Sequence, residues 1–299
     1  MIVWLASYPR SGNTLLRTVL KQTMGLDSYS DEKIRPIVGL TATAKEAFGH
    51  LPIEEPWDAF YGKASADDAT YLVKTHLPPR DEQPVIYVVR DGRRATESYR
   101  AYHSSFQPDP NLCPSHVDLM LGNDFYGSWS SHYRAWASRP GGAYLLVRYE
   151  QLVVADRPLL EEIADFIGYK GEIRPFVNRM DTMHRENPDF FRSGEVKWRC
   201  PAHWTAEEEA LFLELHGDVL LELEYIQESG LSAARQGLGE LLIRTARAAC
   251  RAFEERNAWH HEANKKEQVI TQLISELERE KTSPGDARSV LERLLPWGR

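Results

Sequence analysis

The 299-residue sequence has little cysteine: Cys113, Cys200 and Cys250 are odd in number, far apart and without metal-ligand spacing. That excludes a disulfide framework and points to reduced thiols in a cytosolic setting. Positive charge is not in excess either. Lys+Arg 36 against Asp+Glu 44 leaves a net charge of −8, which argues against broad binding to nucleic acid or to an anionic membrane. No stretch reaches the ~18 apolar residues of a membrane span. The apolar run Ile2–Ala6 is too short for a signal-peptide core and no basic region precedes it. Internal repeats and low-complexity segments are missing as well. A cytoplasmic globular protein is the expectation, and 42% hydrophobic residues suffice for a sizeable core.

What is present is an alternation of strand and helix patterns. Ile2–Ala6, Tyr71–Val73, Val85–Val89 and Ala143–Val147 are short apolar runs without clean alternation, as in strands covered on both faces. Helical patterns follow at Thr14–Met24, Arg93–Tyr102 and Pro158–Ile167. This order predicts an α/β fold with a mainly parallel sheet. A further helix is predicted from Thr205 to His216, with a Thr205/Glu208 capping box and Gly217 ending it. Asp27–Ala69 and His103–Asp124 read as long, loop-rich segments. A boundary is placed near residue 230, dividing a 1–230 domain from a 231–299 helical extension. Leu231 to Ser283 contains no proline, and Leu238, Leu242, Thr245, Ala249, Phe253, Ile270, Leu273 and Leu277 keep helical spacing. The extension reads equally as a homo-oligomerisation helix or as a helix packed on its own domain.

The first strand runs into Ser7-Tyr8-Pro9-Arg10-Ser11-Gly12-Asn13-Thr14 and then a helix. A turn of this kind aims backbone N–H groups and a helix dipole at an anion. Gly12 allows close approach, Ser11, Asn13 and Thr14 add donors, and Arg10 adds a forked cation. No acidic residue precedes Asp27. A nucleoside-triphosphate loop would need G-x-x-x-x-G-K-[ST], and the Gly-Lys pair is missing here, so an ATP-dependent small-molecule kinase is the weaker reading. A catalytically inactive nucleotide-binding scaffold is the other alternative.

Six segments in order give the reading its specificity. Tyr8–Thr14 resembles the Y-P-K-S-G-T-T-W loop of the cytosolic-type sulfotransferases, and Lys74-Thr75-His76-Leu77-Pro78 resembles their K-T-H-L-P segment. Arg90 and Ser98, eight positions apart, are similar to their 3′-phosphate motif. Tyr126-Gly127-Ser128-Trp129 with His132 and Trp136 resembles G-S-W-x-x-H-x-x-x-W, and Tyr149-Glu150-Gln151-Leu152 resembles Y-E-D-L. Arg192-Ser193-Gly194 with Trp198 resembles the R-K-G…W loop. The resemblance covers residues 2 to about 225.

It implies a P-loop-like parallel sheet flanked by helices, the sulfotransferase fold, carrying the C-terminal extension. It also implies transfer of a sulfuryl group from 3′-phosphoadenosine-5′-phosphosulfate to a hydroxyl, less readily an amine, of a small-molecule, carbohydrate or lipid acceptor. The product is adenosine 3′,5′-bisphosphate, and no metal is expected. His76 is the expected general base, with Lys74 and Arg10 stabilising charge. Arg10, Ser11, Gly12, Asn13, Thr14, Arg90, Ser98, Arg192, Ser193 and Gly194 would hold the donor's anionic groups and Tyr149 its adenine. Departures from the pattern are Arg10 for Lys, Leu15 for the adenine-stacking Trp, and Ser193 for Lys. Trp129, His132 and Trp136 read as core groups. His103, His116 and His184 read as packing or surface residues, and Arg93, Arg94 and Arg100 as ordinary surface arginines. Trp57, Phe60, Tyr61 and Phe106 read evenly as acceptor wall or as packing.

Overall fold

The computed structural model describes residues 1–31, 46–106, 113–179, 182, 184, 185, 198–229, 243, 245–258 and 261. The strands are β1 (Ile2–Ser7), β2 (Tyr29–Ser30), β3 (Tyr71–Thr75), β4 (Val85–Val89) and β5 (Tyr144–Arg148). The helices used below are α1 (Asn13–Met24), α2 (Trp57–Ala66), α3 (Gly92–Phe106), α4 (His116–Leu121), α5 (Trp129–Ala137), α6 (Tyr149–Val154), α7 (Arg157–Ile167) and α8 (Ala206–Glu222). The strands form one sheet in the order β2-β3-β1-β4-β5, and every neighbouring pair is parallel.

Burial on both faces explains why the strands read as unbroken apolar runs. Along β1, Ile2, Trp4 and Ala6 enter one core with α2, α3, α4, α5 and α8. Val3 and Leu5 enter the other, with α1, α6 and α7. Strand β4 divides in the same way, with Val85, Tyr87 and Val89 on the first face and Ile86 and Val88 on the second. A strand buried on both sides has no polar side to alternate with.

Several boundaries and assignments move. Helix α8 continues through Gly217 to Glu222, so Gly217 does not end it. Gly217 is buried there among apolar neighbours, and packing outweighs glycine's weak helix propensity. The Thr205/Glu208 capping box is formed as expected. Inside the loop-rich segments lie β2, α2 and α4; a strand of two residues and a helix of six are too short to show a period, and α2 buries just Phe60 and Ala64. Arg93 is not a surface arginine. It is buried, and it grips Asp91 through Nε and Nη2 at 3.0 and 2.7 Å.

The chain divides into two compact units, Met1–Phe253 and Glu254–Arg299. Residues 245–253 of the first are helical; Ala246 enters the main core and Arg247 pairs with Glu214. Of the tail positions named from helical spacing, Leu238, Leu242, Ile270, Leu273 and Leu277 lie outside the described residues. No helix among the described residues is long and apolar enough to cross a membrane.

His216 on α8 locks three helices together. Its Nε2–H donates to the Met120 carbonyl at 2.9 Å, so Nδ1 accepts from the Ser130 hydroxyl at 2.7 Å. Burial pushes its pKa down from 6.5 to about 4. Between those values the unfolded chain binds the proton and the folded chain does not. Stability therefore rises with pH through this window and is complete above it. Urea unfolding should show a loss of roughly 3 kcal/mol from this residue between pH 6.5 and pH 4, and His216→Gln should flatten that part of the profile. A His216→Gln profile parallel to that of the wild type would remove the residue as the cause.

Candidate functional site

The sheet order places β1 between β3 and β4, with chain connections leaving in opposite directions from β1 and β4. The carboxyl ends of such strands form the ligand crevice of an open parallel sheet. The turn after β1 is held from within: the Ser11 N–H donates to the Tyr8 carbonyl at 3.2 Å, and the Asn13 amide donates to the Leu5 carbonyl at 2.7 Å and to Ser7 Oγ at 3.3 Å. Asn13 thus braces the turn with its side chain. No side chain caps the first turn of α1, which also lacks acidic residues. Ser11 Oγ is buried and has no hydrogen-bond partner among the described residues. Thr14 sits half-buried in the same turn.

Two backbone positions are unusual. Arg10 has φ +64°, a left-handed conformation that costs a non-glycine residue about 1–2 kcal/mol. Gly12 has φ +112°, and a Cβ there would stand 2.6 Å from Tyr149 Cδ2. Only glycine lets the turn lie against this ring.

Arg90 follows β4 and Ser98 lies two turns into α3. Both converge on the same turn. Arg10 Nε donates to Ser98 Oγ at 3.3 Å, Arg90 Nη1 donates to the Arg10 carbonyl at 3.4 Å, and the Arg90 guanidinium lies 4.1 Å above the Tyr149 ring. Arg10 also covers Tyr102 at 5.1 Å. Burial pushes the Arg90 pKa down; Arg94 acts in the same direction, opposed by Tyr149, Glu150 and Asp91. A buried guanidinium stacked on an aromatic ring suits a ligand that brings negative charge. Leu15, in the place of the family's stacking Trp, is buried in the core beneath α1.

Strand β3 stops at Thr75, so strand alternation alone does not set the direction of His76. Lys74 is half-buried near the end of β3, with Leu5 beside it in register. Hydrogen bonds fix His76 instead. Its Nδ1–H donates to the Ser7 carbonyl at 2.6 Å, which leaves the acceptor lone pair on Nε2. The His76 carbonyl accepts from His132 Nε2 at 2.9 Å, and the Leu77 carbonyl accepts from Trp136 Nε1 at 3.1 Å. With Nε2 donating, His132 Nδ1 accepts from the Tyr87 hydroxyl at 2.8 Å. His132 and Trp136 are therefore core residues, as expected, that also fix the backbone of the His76 segment from one face of α5.

An aromatic ring outside the four weighed as acceptor wall or packing lies next to His76. Tyr126 meets the imidazole edge-on at 5.8 Å and contacts Tyr99 and the exposed Phe125. Trp57 and Tyr61 pack on Trp4, and Phe60 packs on Tyr29 and Tyr71. Phe106 stacks on Tyr102. The Tyr-Gly-Ser-Trp motif marked Tyr126 in the sequence without indicating that its ring would face His76. Arg192, Ser193 and Gly194 lie outside the described residues.

A parallel sheet with an anion-ready turn after its central strand, and a histidine and two arginines at neighbouring strand ends, defines a class of α/β protein suited to an anionic ligand at the sheet's carboxyl edge. Sequence comparison narrows it: the profile of the sulfotransferase domain matches residues 2–197, and the chain belongs to that family. Similar curated proteins are rat Sulfotransferase 2A1, 32% identical over 39% of this chain and 46% of that protein, and mouse Sulfotransferase 4A1, 28% identical over 61% and 65%. A guinea pig 3-alpha-hydroxysteroid sulfotransferase is 32% identical over 38% and 45%. The chain thus spans 45–65% of the length of these relatives. A crystal structure of a mouse sulfotransferase complexed with PAP aligns over 78% of this chain and 87% of that one, with TM-score 0.47 and 18% identity.

The Gly12 geometry gives a direct test. Gly12→Ala must place a Cβ against Tyr149 at a left-handed φ, and should lower unfolding stability by about 1–3 kcal/mol. An unchanged denaturation midpoint would mean that the turn does not need glycine.

Proposed function

We propose that the protein transfers the sulfuryl group of 3′-phosphoadenosine-5′-phosphosulfate to the hydroxyl of a small-molecule, carbohydrate or lipid acceptor. The observation that carries the reading is the convergence of Arg10, Arg90 and Ser98 at the turn that leads into α1, whose first turn no side chain caps among the described residues. It provides for two anionic groups at once. Ser11, Thr14 and the first N–H groups of α1 suit a 5′-phosphosulfate, and the buried hydroxyl of Ser11 has a role there. Arg90, Ser98 and Arg10 suit a 3′-phosphate, which ordinary adenylates lack. Tyr149 carries Arg90 on its ring face and is proposed to border the adenine. Arg192, Ser193 and Gly194 join the proposal on sequence alone.

The donor supplies an activated sulfuryl group. His76 takes the acceptor's proton at Nε2, its ring held by the Ser7 carbonyl and its backbone by His132. As the acceptor oxygen gains its bond to sulfur, the bond from sulfur to the 5′-phosphate oxygen breaks. Lys74 and Arg10 offset charge on the transferring oxygens. Tyr126 and Phe125 border the approach to His76 and suit an acceptor with an apolar body. Cys113, Cys200 and Cys250, odd in number and far apart in sequence, suit a reducing compartment, and the cytoplasm is the proposed location.

Calorimetric titration with adenosine 3′,5′-bisphosphate, ATP and 5′-AMP tests donor recognition. The bisphosphate should bind without magnesium and in preference to the others, and Arg90→Ala should abolish that preference. Preferential binding of ATP with magnesium would favour a kinase instead.

In an acceptor assay, His76→Ala should cut turnover ~10²-fold or more at nearly unchanged bisphosphate affinity. His132→Ala, which frees the His76 carbonyl, should lower turnover by about tenfold, again without weakening the bisphosphate. Equal turnover in wild type and His76→Ala would remove the histidine from the base role.

A further inference from the structure

Away from the strand ends, Glu97 of α3 gathers three N–H groups from other segments. His116 Nε2 lies 2.7 Å from Glu97 Oε2, His203 Nε2 3.1 Å and Trp204 Nε1 2.8 Å. The His116 and His203 rings stack, with centroids 5.3 Å apart and planes 17° from parallel. The two Nε2 atoms and the carboxylate oxygen all lie within 4.8 Å of one another. Glu97 adjoins Ser98 in sequence, but successive helix positions face different ways, and the transfer chemistry above makes no use of this cluster.

We propose that Glu97, His116 and His203 bind one divalent ion of the zinc class, with water completing the coordination. Two imidazoles, borderline donors, beside one carboxylate suit Zn²⁺ or Co²⁺ over the hard Mg²⁺ and Ca²⁺. Ligand bonds of ~2.0–2.1 Å in a tetrahedral site put donor atoms roughly 3.3 Å apart, a few tenths of an ångström wider than Glu97 Oε2 stands from either ring nitrogen. Movement is available where it is needed. Glu97 is fixed within α3, and His116 is buried in the first turn of a helix closed by a Ser115/Asp118 capping box. His203 has 53% of its side chain exposed, so it adjusts most easily, and its open side provides a route for the ion and a place for water.

When the ion binds, each ring presents the Nε2 lone pair and carries its proton on Nδ1. The Trp204 indole cannot ligate, but its N–H stays on the Glu97 carboxylate, a contact of the kind that orients metal-bound carboxylates. The ion would cross-link α3, α4 and the segment entering α8.

The test uses the tag-free full chain, stripped by chelator and titrated with Zn²⁺ alone and Co²⁺ alone. It does not depend on the sulfotransferase reading. One ion per chain should bind, and saturating Zn²⁺ should raise the unfolding temperature by mass action. His203→Ala, at an exposed side chain, should keep its metal-free unfolding temperature while losing Zn²⁺ affinity about 100-fold or more; Glu97→Gln should lose as much and Trp204→Phe about tenfold. The Co²⁺ spectrum should lack a thiolate charge-transfer band. No saturable uptake by the wild type would overturn the proposal. So would undiminished affinity in both His203→Ala and Glu97→Gln, or a thiolate band from Co²⁺.

Discussion

Three strand ends are held together by one stack: the Arg90 guanidinium on the Tyr149 ring, with the Arg10 carbonyl on one side and Gly12 against the ring edge. Arg90 follows β4, Tyr149 follows β5, and Arg10 and Gly12 follow β1. Parallel strands deliver these residues to the same edge of the sheet, but register alone does not close the gap between them. The stack closes it with a buried cation, and a cation in that position needs either a ring face or an anion as company. The left-handed backbone of Arg10 and the glycine at 12 are what this closeness requires locally. Strand β3 joins the group separately, through the hydrogen bond from His76 to the Ser7 carbonyl.

Most of the framework was legible in the sequence because it is written in contiguous residues. The apolar runs of β1 and β4, the capping box of α8 and the turn Ser7–Thr14 each lie within a short window, where local physics decides the outcome. The sheet could be inferred as parallel because helices alternate with strands. What was hidden depends on distant partners. Arg93 looks like any surface arginine until Asp91 and the packed end of α3 bury it. Gly217 looks like a helix stop until the core residues before and after it on α8, Leu213 and Leu220 among them, hold the helix through it.

The site divides along the same line. Arg10, His76, Arg90 and Ser98 could be marked from motif spacing, and the structure brings the two arginines and the serine together. The direction in which each group points came only from three dimensions. Asn13 turns its amide inward to hold the turn, a use that its place in a phosphate loop does not reveal. Tyr126 meets His76 from the turn that leads into α5, and no spacing rule connects positions 76 and 126. Glu97, His116 and His203 come from three separate segments and have no motif at all, so only the folded chain shows them as one group.

The order of hydrogen bonds around His76 has a consequence for proton traffic. Tyr87 donates to His132, His132 donates to the His76 carbonyl, and the His76 ring donates to the Ser7 carbonyl. Amide oxygens do not take up protons near neutral pH, so the two links that arrive at the His76 and Ser7 carbonyls end there. Such a chain stiffens the imidazole without forming a wire into the interior. If His76 serves as the proposed base, a proton collected at Nε2 has no inward exit along these bonds.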